Sequence, residues 1–149
     1  MYYSDMVLKA AKIAYTAHAG QYDKAGYPYF MHPYHLADGF SDEESVIVAL
    51  LHDVVEDTDL TLEDLKREGF SDEVIAALSL LTHVKGVPYL EYVARIAENP
   101  LARRVKIADL RHNTDVTRGA DTPHFAKKRE ECYYPALKLL LQAEEDGKK

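Results

Sequence analysis

The residues best suited to chemistry lie in one short segment, Leu50–Thr58, which reads Leu-Leu-His-Asp-Val-Val-Glu-Asp-Thr. The run that leads into it, Val46–Leu51, is wholly apolar and predicts a buried helix. A buried helix that ends in one imidazole and three carboxylates would bury charge at a high cost unless something compensates it. A divalent cation is the usual compensation. The segment therefore predicts a metal site, and a metal site in a helical core indicates an enzyme.

The spacing of the four polar side chains supports this interpretation. His52 and Glu56 are four residues apart, as are Asp53 and Asp57, so on a helix all four share one broad face. Two of them could hold a metal ion, and the other two could take part in the reaction one helical turn further along. The alternative is that the carboxylates form a solvated helix end. Negative charge is unfavourable at a helix C-terminus. The solvated helix end leaves three such charges unexplained, whereas a metal site explains them.

The remaining ligands are expected at a distance in the sequence. His32 precedes a proline, where the chain is extended and a new helix can begin. Asp109 lies in another apolar helical segment, with Asn113 one turn later. Two histidines and two aspartates from three helices suit a borderline-hard divalent ion such as Mn²⁺ better than a thiolate site would. The predicted ligands are His32, His52, Asp53 and Asp109.

The order His, His-Asp, Asp resembles the HD superfamily of metal-dependent phosphohydrolases. The fuller pattern is similar to the hydrolase domain of the RelA/SpoT alarmone enzymes and to the stand-alone small alarmone hydrolases, including the metazoan SpoT homologue. A bare His-Asp pair is a weak signal, whereas His-Asp-x-x-Glu-Asp-Thr with an upstream Pro-Tyr-x-x-His-Pro is a strong one. The likeness covers most of the chain and rests on Gly20-Gln21, Lys24–Tyr29, His32-Pro33, His52–Thr58, and Val105–Leu110 with Asn113.

The resemblance implies a role for each matching residue. The four predicted ligands match the family's metal ligands, for which manganese is the usual ion. Glu56 and Asp57 match the acidic pair that positions and activates the attacking water. Lys24 and Asn113 match residues that line the nucleotide pocket, and Lys106 is expected to meet the phosphates beside Lys24. The family reaction removes pyrophosphate from the 3' position of guanosine tetra- or pentaphosphate. The chain is too short for the synthetase domain of bifunctional members, so we expect no synthesis.

Two departures from the family pattern concern the substrate. Asp23 stands where family members usually carry an arginine that helps to hold the guanine base, and an aspartate cannot stack on the base or donate to it in the same way. It could instead accept hydrogen bonds from a base edge. After Asn113 the chain continues with Thr114–Arg118 rather than the common Met-Arg-Thr. The resemblance therefore transfers the metal chemistry more directly than the substrate.

Three hypotheses about function follow. The first is an Mn²⁺-dependent 3'-pyrophosphohydrolase of guanosine alarmones. The second is an HD phosphohydrolase that acts on another nucleotide, such as an adenosine alarmone, a nucleoside monophosphate or a phosphorylated dinucleotide. The third is a catalytically silent module that binds a nucleotide or a partner. The presence of all four ligands and both acidic residues counts against the third.

The bulk composition agrees with a small intracellular enzyme. A chain of 149 residues with 47% hydrophobic residues is enough for one folded domain. Cys132 is the only cysteine, which excludes a disulfide framework and a thiolate cluster. The net charge of -7 argues against nucleic acid as a partner. No targeting segment or membrane span is evident, so we expect a cytoplasmic protein with a small-molecule nucleotide substrate, and a homo-oligomer is left open.

Helical periodicity and cap residues predict one all-α domain over residues 1–149, a single compact HD-domain helical bundle with a polar tail from about residue 144. Helices are expected at Met6–Ala19, from about Pro33, from Ser41 through Asp57, after Thr61 and Ser71, at Tyr89–Glu98, from Pro100 through Asp109 to about Gly119, and at Thr122–Ala143. The other histidines are left outside the metal set. His18 is expected to be structural or to lie at the edge of the pocket, His35 to support the ligands or lie at the surface, and His83 to be structural. The sequence names no partner for His112 or His124.

Overall fold

Helix α3 (Glu43–Leu51) lies at the centre of the molecule, and every residue of Ser45–Leu51 is buried. The computed structural model describes residues 1–118 and 122–148. Four helices pack around α3: α1 (Asp5–Ala17), α2 (Met31–Asp38), α6 (Asp72–Leu81) and α8 (Pro100–Asn113). A helix enclosed in this way must be apolar all round, which explains why the run Val46–Leu51 is uninterrupted.

The other elements are also helical. They are α4 (Val54–Asp57), α5 (Leu62–Arg67), α7 (Tyr89–Ala97), α9 (Pro123–Lys128), a π-helical turn (Arg129–Tyr133) and α10 (Tyr134–Gly147). Within the described residues, the only β-type pairing is an isolated antiparallel bridge between Tyr22 and Pro28 in the loop after α1. The all-α prediction is confirmed. None of the helices in the described ranges has the length and apolarity needed to cross a bilayer.

Side-chain caps begin most of the helices where the sequence predicts them. Ser4, Thr61 and Ser71 each accept a hydrogen bond from a backbone N–H in the first turn, and Asn99 does the same before Pro100 opens α8. The prediction for α3 was wrong by one residue, because its cap is Asp42 rather than Ser41. The Asp42 side chain accepts from Ser45 N at 3.0 Å.

The chain does not continue as one helix from Leu51 to Asp57, contrary to the prediction. Helix α3 ends at Leu51 and α4 begins at Val54, with His52 and Asp53 in a turn between them. The His52 side chain accounts for this break, because its Nδ1 lies 2.6 Å from Ala49 O. In an uninterrupted helix that carbonyl would accept from the backbone N–H of Asp53.

The C-terminal helical region also differs from the prediction. It runs from Pro123 to Gly147 and so includes most of the predicted polar tail. The π-helical turn interrupts it where the N–H of Tyr134 bonds to Arg129 O, five residues back. Pro135 follows at the start of α10 and has no N–H to donate, so a wider turn before it avoids a clash in the helix. The predicted end of the preceding region at Gly119 lies outside the described residues.

Because α3 is buried, we expect substitutions in it to lower the free energy of unfolding. Leu50 is fully buried, whereas Leu8 on α1 is 54% exposed. Leu50→Ala should lower the free energy of unfolding by about 2–5 kcal/mol, since it leaves a cavity in the core. Leu8→Ala makes the same chemical change at the surface and should cost only about 0.5 kcal/mol. Urea denaturation followed by circular dichroism measures both, and equal losses would contradict the central position of α3.

Candidate metal centre and adjoining cleft

The four predicted metal ligands meet at one point in the core. His32 comes from α2, His52 and Asp53 from the turn after α3, and Asp109 from α8. His32 Nε2 lies 2.8 Å from Asp109 Oδ1, and His52 Nε2 lies 3.0 Å from Asp53 Oδ2. His52 Nε2 is 3.5 Å from Asp109 Oδ1, and His32 Nε2 is 3.9 Å from Asp53 Oδ2. Residues that are far apart in the sequence thus face one another across a few ångströms.

The orientation of His52 fits a bound cation. Its Nδ1 must carry a proton, because it lies against the carbonyl of Ala49, which can only accept. In the neutral imidazole this leaves a lone pair on Nε2. Nε2 is fully buried and makes no hydrogen bond of acceptable geometry with any described residue, although two carboxylate oxygens lie near it. A metal ion between these groups would satisfy the Nε2 lone pair and both carboxylates.

The negative charges of the centre also favour the binding of a cation. Burial alone would lower the pKa of His52, but the negative charges of Asp53 and Asp109 outweigh it and raise this pKa well above the usual value. Burial likewise opposes the ionised form of Asp109, yet the charge of Lys106 holds its pKa well below the usual range. The centre therefore keeps its carboxylates ionised and draws positive charge towards them. One ligand atom from each of His32, His52 and Asp109 can be chosen so that all lie within 4.8 Å of one another, close enough to share an ion.

Each of the four side chains is also held by a second group. The Tyr29 hydroxyl donates to Asp53 Oδ2 at 2.5 Å. Lys106 Nζ lies 2.9 Å from Asp109 Oδ2, and Asn113 Nδ2 donates to Asp109 Oδ1 at 3.1 Å. These contacts orient the carboxylate oxygens before any ion binds. The full set of supporting contacts is Tyr29 to Asp53, Lys106 and Asn113 to Asp109, Ala49 to His52, and His112 to His32.

The acidic pair, Glu56 and Asp57, lines a cavity of about 450 Å³ together with His52, Asp53 and Asp109. His32 lines a second cavity beside it. Glu56 Oε1 accepts from the backbone N–H of His83 at 2.7 Å. Burial, followed by the charges of Asp53 and Glu56, raises the pKa of Asp57 to about 6. Gln21 Nε2 donates to Asp57 O at 3.0 Å and ties this short helix to the loop after α1. The Asp57 carboxylate can therefore take up a proton close to neutral pH.

The three predicted substrate-binding residues fall in two places. Lys106 and Asn113 line the cavity of the metal centre, where both contact Asp109. Lys24 lines an adjoining cavity of about 290 Å³, and its Nζ lies 5.9 Å from the centroid of the Phe125 ring. The two cavities adjoin each other, because four residues line both, and we refer to the pair as the cleft. The shared walls are Tyr29, Asn113, Lys128 and Tyr133.

Asp23 shapes the loop that borders the smaller cavity. Its Oδ1 accepts from the backbone N–H groups of Ala25 at 3.0 Å and Tyr27 at 2.9 Å, so it closes the turn around Gly26. Its Oδ2 lies 3.7 Å from Arg118 Nη2. The carboxylate is thus already engaged by the loop and by a guanidinium. The Arg118 guanidinium also lines the cavity, so this cavity does contain an arginine, contributed by the segment after α8.

Sequence reasoning missed several residues of this cleft. The sequence names no partner for His112, yet it contacts His32; its position three residues after Asp109 on α8 places both on one helix face. Tyr29 lies inside the Pro-Tyr-x-x-His-Pro string, but no contact with Asp53 was predicted for it. Arg118 lies in the segment after Asn113 where the chain departs from the family pattern, but no role was predicted for it. Lys128 belongs to no motif, and only the fold brings it to the cleft.

Comparisons with known proteins find several relatives of this chain. The 3'-pyrophosphohydrolase of guanosine-3',5'-bis(diphosphate) from Aquifex aeolicus is 30% identical over 153 residues, which cover 93% of this chain and 22% of that protein. The enzyme of the same name from Haemophilus influenzae is 33% identical over 146 residues, which cover 86% of this chain and 21% of that protein. The chain thus spans about a fifth of the length of these relatives.

A solved structure of a metazoan ortholog of SpoT, a protein that hydrolyzes ppGpp, superimposes with a TM-score of 0.72 at 26% sequence identity. The match covers 96% of this chain and 87% of that chain. A model of the HD domain matches residues 10–118, a range that contains all four predicted ligands and the acidic pair. The resemblance seen in the sequence is confirmed, and the chain belongs to the HD-domain family.

Proposed function

We propose that this chain hydrolyses the 3'-pyrophosphate of guanosine tetra- or pentaphosphate with the help of one bound Mn²⁺ ion. The observation that carries the proposal is the position of His52 Nε2, which is buried between Asp53 and Asp109 without a hydrogen-bond partner among the described residues. His52, Asp53 and Asp109 line the same cavity as Glu56 and Asp57. The names of the Aquifex and Haemophilus relatives and of the metazoan ortholog support this choice of reaction and substrate.

The metal-binding part of the proposal assigns the ion to His32, His52, Asp53 and Asp109. Imidazole nitrogens and carboxylate oxygens in this ratio suit Mn²⁺ and related divalent ions. A divalent ion bound there would polarise a phosphoryl oxygen and offset the charge that develops during the displacement. Lys106 and Asn113 keep Asp109 ionised and correctly turned, so in this proposal they serve the ligand as well as the substrate phosphates.

The acidic pair supplies the base. Asp57, with a pKa of about 6, is mostly ionised at neutral pH and accepts a proton readily from a water molecule held beside it. Glu56 is held by the His83 backbone, which fixes one of its oxygens and turns the carboxylate towards the cavity that it lines. Together the two carboxylates orient the attacking water and take its proton. Water attack on the 3' phosphorus then breaks the bond to the 3' oxygen and releases pyrophosphate, and the 3' oxygen takes up a proton from solvent and becomes a hydroxyl group.

The shape of the cleft suggests how a nucleotide lies in it. The 3'-pyrophosphate fits the larger cavity, next to the ligands, and the nucleoside fits the smaller cavity beside Phe125 and Lys24. Lys128 lines both cavities, so its ammonium group can reach a phosphate at the junction. The protein has a net charge of -7, and these lysines with Arg118 supply the local positive potential that a polyphosphate requires.

A second candidate is the hydrolysis of a different nucleotide by the same chemistry. The pairing of Asp23 with Arg118 favours this second candidate. In the family pattern the arginine comes from the position of Asp23, whereas here the Arg118 guanidinium reaches the smaller cavity from the segment after α8. A base-contacting group in a different place can select a different base.

The two candidates are separated by a substrate panel. Purified protein with Mn²⁺ should release pyrophosphate from guanosine tetraphosphate, and a chelator should abolish the release. Adenosine tetraphosphate of the same phosphate pattern and simple nucleoside phosphates serve as comparison substrates. Turnover of one of these in place of the guanosine compound would transfer the proposal to the second candidate, and no metal-dependent turnover of any of them would reject both.

Single substitutions should separate metal binding from proton transfer. Asp53→Ala should abolish both Mn²⁺ binding and turnover, because it removes a ligand. Glu56→Gln should retain Mn²⁺ binding and lower kcat by about 10²–10⁴-fold, since the amide oxygen can still accept from the His83 N–H but the group is no longer a base. Calorimetric Mn²⁺ titration and pyrophosphate release measure the two effects. Glu63→Gln, an exposed change on α5, is the control; full turnover in Glu56→Gln would exclude the assigned role.

Two neighbouring lysines test the position of the substrate. Lys128→Ala should raise KM by about 10–100-fold with little change in kcat, because a contact to a charged phosphate is worth about 1.5–3 kcal/mol. Lys128→Arg should restore most of the affinity. Lys127 is exposed on the same helix, and the described walls of the two cavities include Lys128 but not Lys127. Lys127→Ala should therefore leave KM unchanged, and equal effects of the two alanine variants would contradict this placement.

A further inference from the structure

Two histidine rings meet edge to edge beside the metal centre. His32 Nδ1 lies 2.7 Å from His112 Nδ1. The two ring planes are 3° apart and their centroids are 4.9 Å apart. Parallel rings with so short an N–N distance and so large a centroid separation lie side by side rather than face to face. In that arrangement an in-plane N–H of one ring points at the in-plane lone pair of the other.

A contact between two ring nitrogens requires one proton between them. If His112 donates, a neutral His32 carries its own proton on Nε2, which then points at Asp109 Oδ1. If His32 donates from Nδ1, its Nε2 keeps a lone pair directed at the same place. Only the second arrangement lets His32 bind a metal ion, because a protonated nitrogen has no lone pair to offer.

We propose that His112 is a positioning residue that accepts the Nδ1 proton of His32 and thereby directs the Nε2 lone pair of His32 to the metal ion. The proposal rests on the metal centre of the proposed function but not on the identity of the nucleotide. His112 then does for His32 what the carbonyl of Ala49 does for His52. Carboxylates and carbonyls usually take this role, so a neutral imidazole in their place is a distinguishing feature of this site.

The surroundings of His112 hold its ring in place for this task. The exposed ring of His35 stacks on it, with centroids 4.0 Å apart and planes 17° apart. Arg118 Nη1 donates to the His112 backbone carbonyl at 2.9 Å and steadies the end of α8. The ring is therefore fixed from its outer face and through its backbone, while its Nδ1 edge is left to His32.

Metal affinity tests the proposal without any substrate. His112→Leu removes the acceptor and keeps a side chain of similar bulk, so it should weaken Mn²⁺ binding by about 10–100-fold. His112→Asn offers an amide oxygen near the position of Nδ1 and should restore most of the affinity. His124→Leu removes an exposed imidazole on α9 that lies outside the described walls of both cavities, and this variant should bind Mn²⁺ as the unsubstituted protein does. Calorimetric titration of the metal-free proteins measures all three, and thermal unfolding shows whether each variant is folded.

The tautomer of His32 can also be determined by NMR in the unsubstituted protein. Long-range ¹H–¹⁵N correlation spectra of the Mg²⁺- or Zn²⁺-loaded protein, in which the ion is diamagnetic, should show the His32 proton on Nδ1 and an unprotonated Nδ1 on His112. A proton on His112 Nδ1 would overturn the proposal. Equal Mn²⁺ affinities of the His112→Leu and His112→Asn variants, or of His112→Leu and the unsubstituted protein, would overturn it as well. Failure to hydrolyse the guanosine alarmone, with metal binding intact, would reject the proposed function and leave the role of His112 standing.

Discussion

The structure depends on the meeting of two imidazoles and two carboxylates in a buried space. Isolated charges cannot remain there without compensation, so the surrounding helices are built to supply it. Lys106 neutralises Asp109 from the same helix, and the Ala49 carbonyl fixes the tautomer of His52. That second contact also ends α3 and creates the turn from which Asp53 projects. The local break in the helix and the geometry of the centre thus have one common cause.

The sequence singles out the four candidate ligands, which the structure brings together, because each of them is a residue type that is rare in a core. His52 and Asp53 are recognisable because they follow an uninterrupted apolar run, and the caps Ser4, Thr61 and Ser71 are recognisable because they act on their own first turns. Contacts between distant segments leave no such trace. The break at Leu51 and the π-helical turn depend on hydrogen bonds that periodicity does not encode. Lys128 reaches the cleft only through the packing of the C-terminal region, and Arg118 reaches it from the segment that follows α8.

The contacts of Asp23 explain why an aspartate can stand where the family usually has an arginine. Its carboxylate closes its own loop and faces Arg118, so its role in the structure is to shape the smaller cavity and to orient a cation there. The family pattern and this chain therefore both place an arginine near the nucleoside side of the cleft, but from different segments. With aspartate at position 23, the arginine reaches the cleft from a different segment of the chain, and the positive charge is kept.

The centre and the cleft are built from different parts of the chain, and this separation bears on function. The candidate ligands and most of the groups that orient them come from α2, from α3 with the turn after it, and from α8, which pack on one another in the core. Most of the residues that line the smaller cavity come from the loop after α1 and from the region after α8. Changes in those two segments can alter the smaller cavity without moving Asp109. Under the proposed function, the same metal centre can therefore serve different nucleotides, and the smaller cavity selects among them.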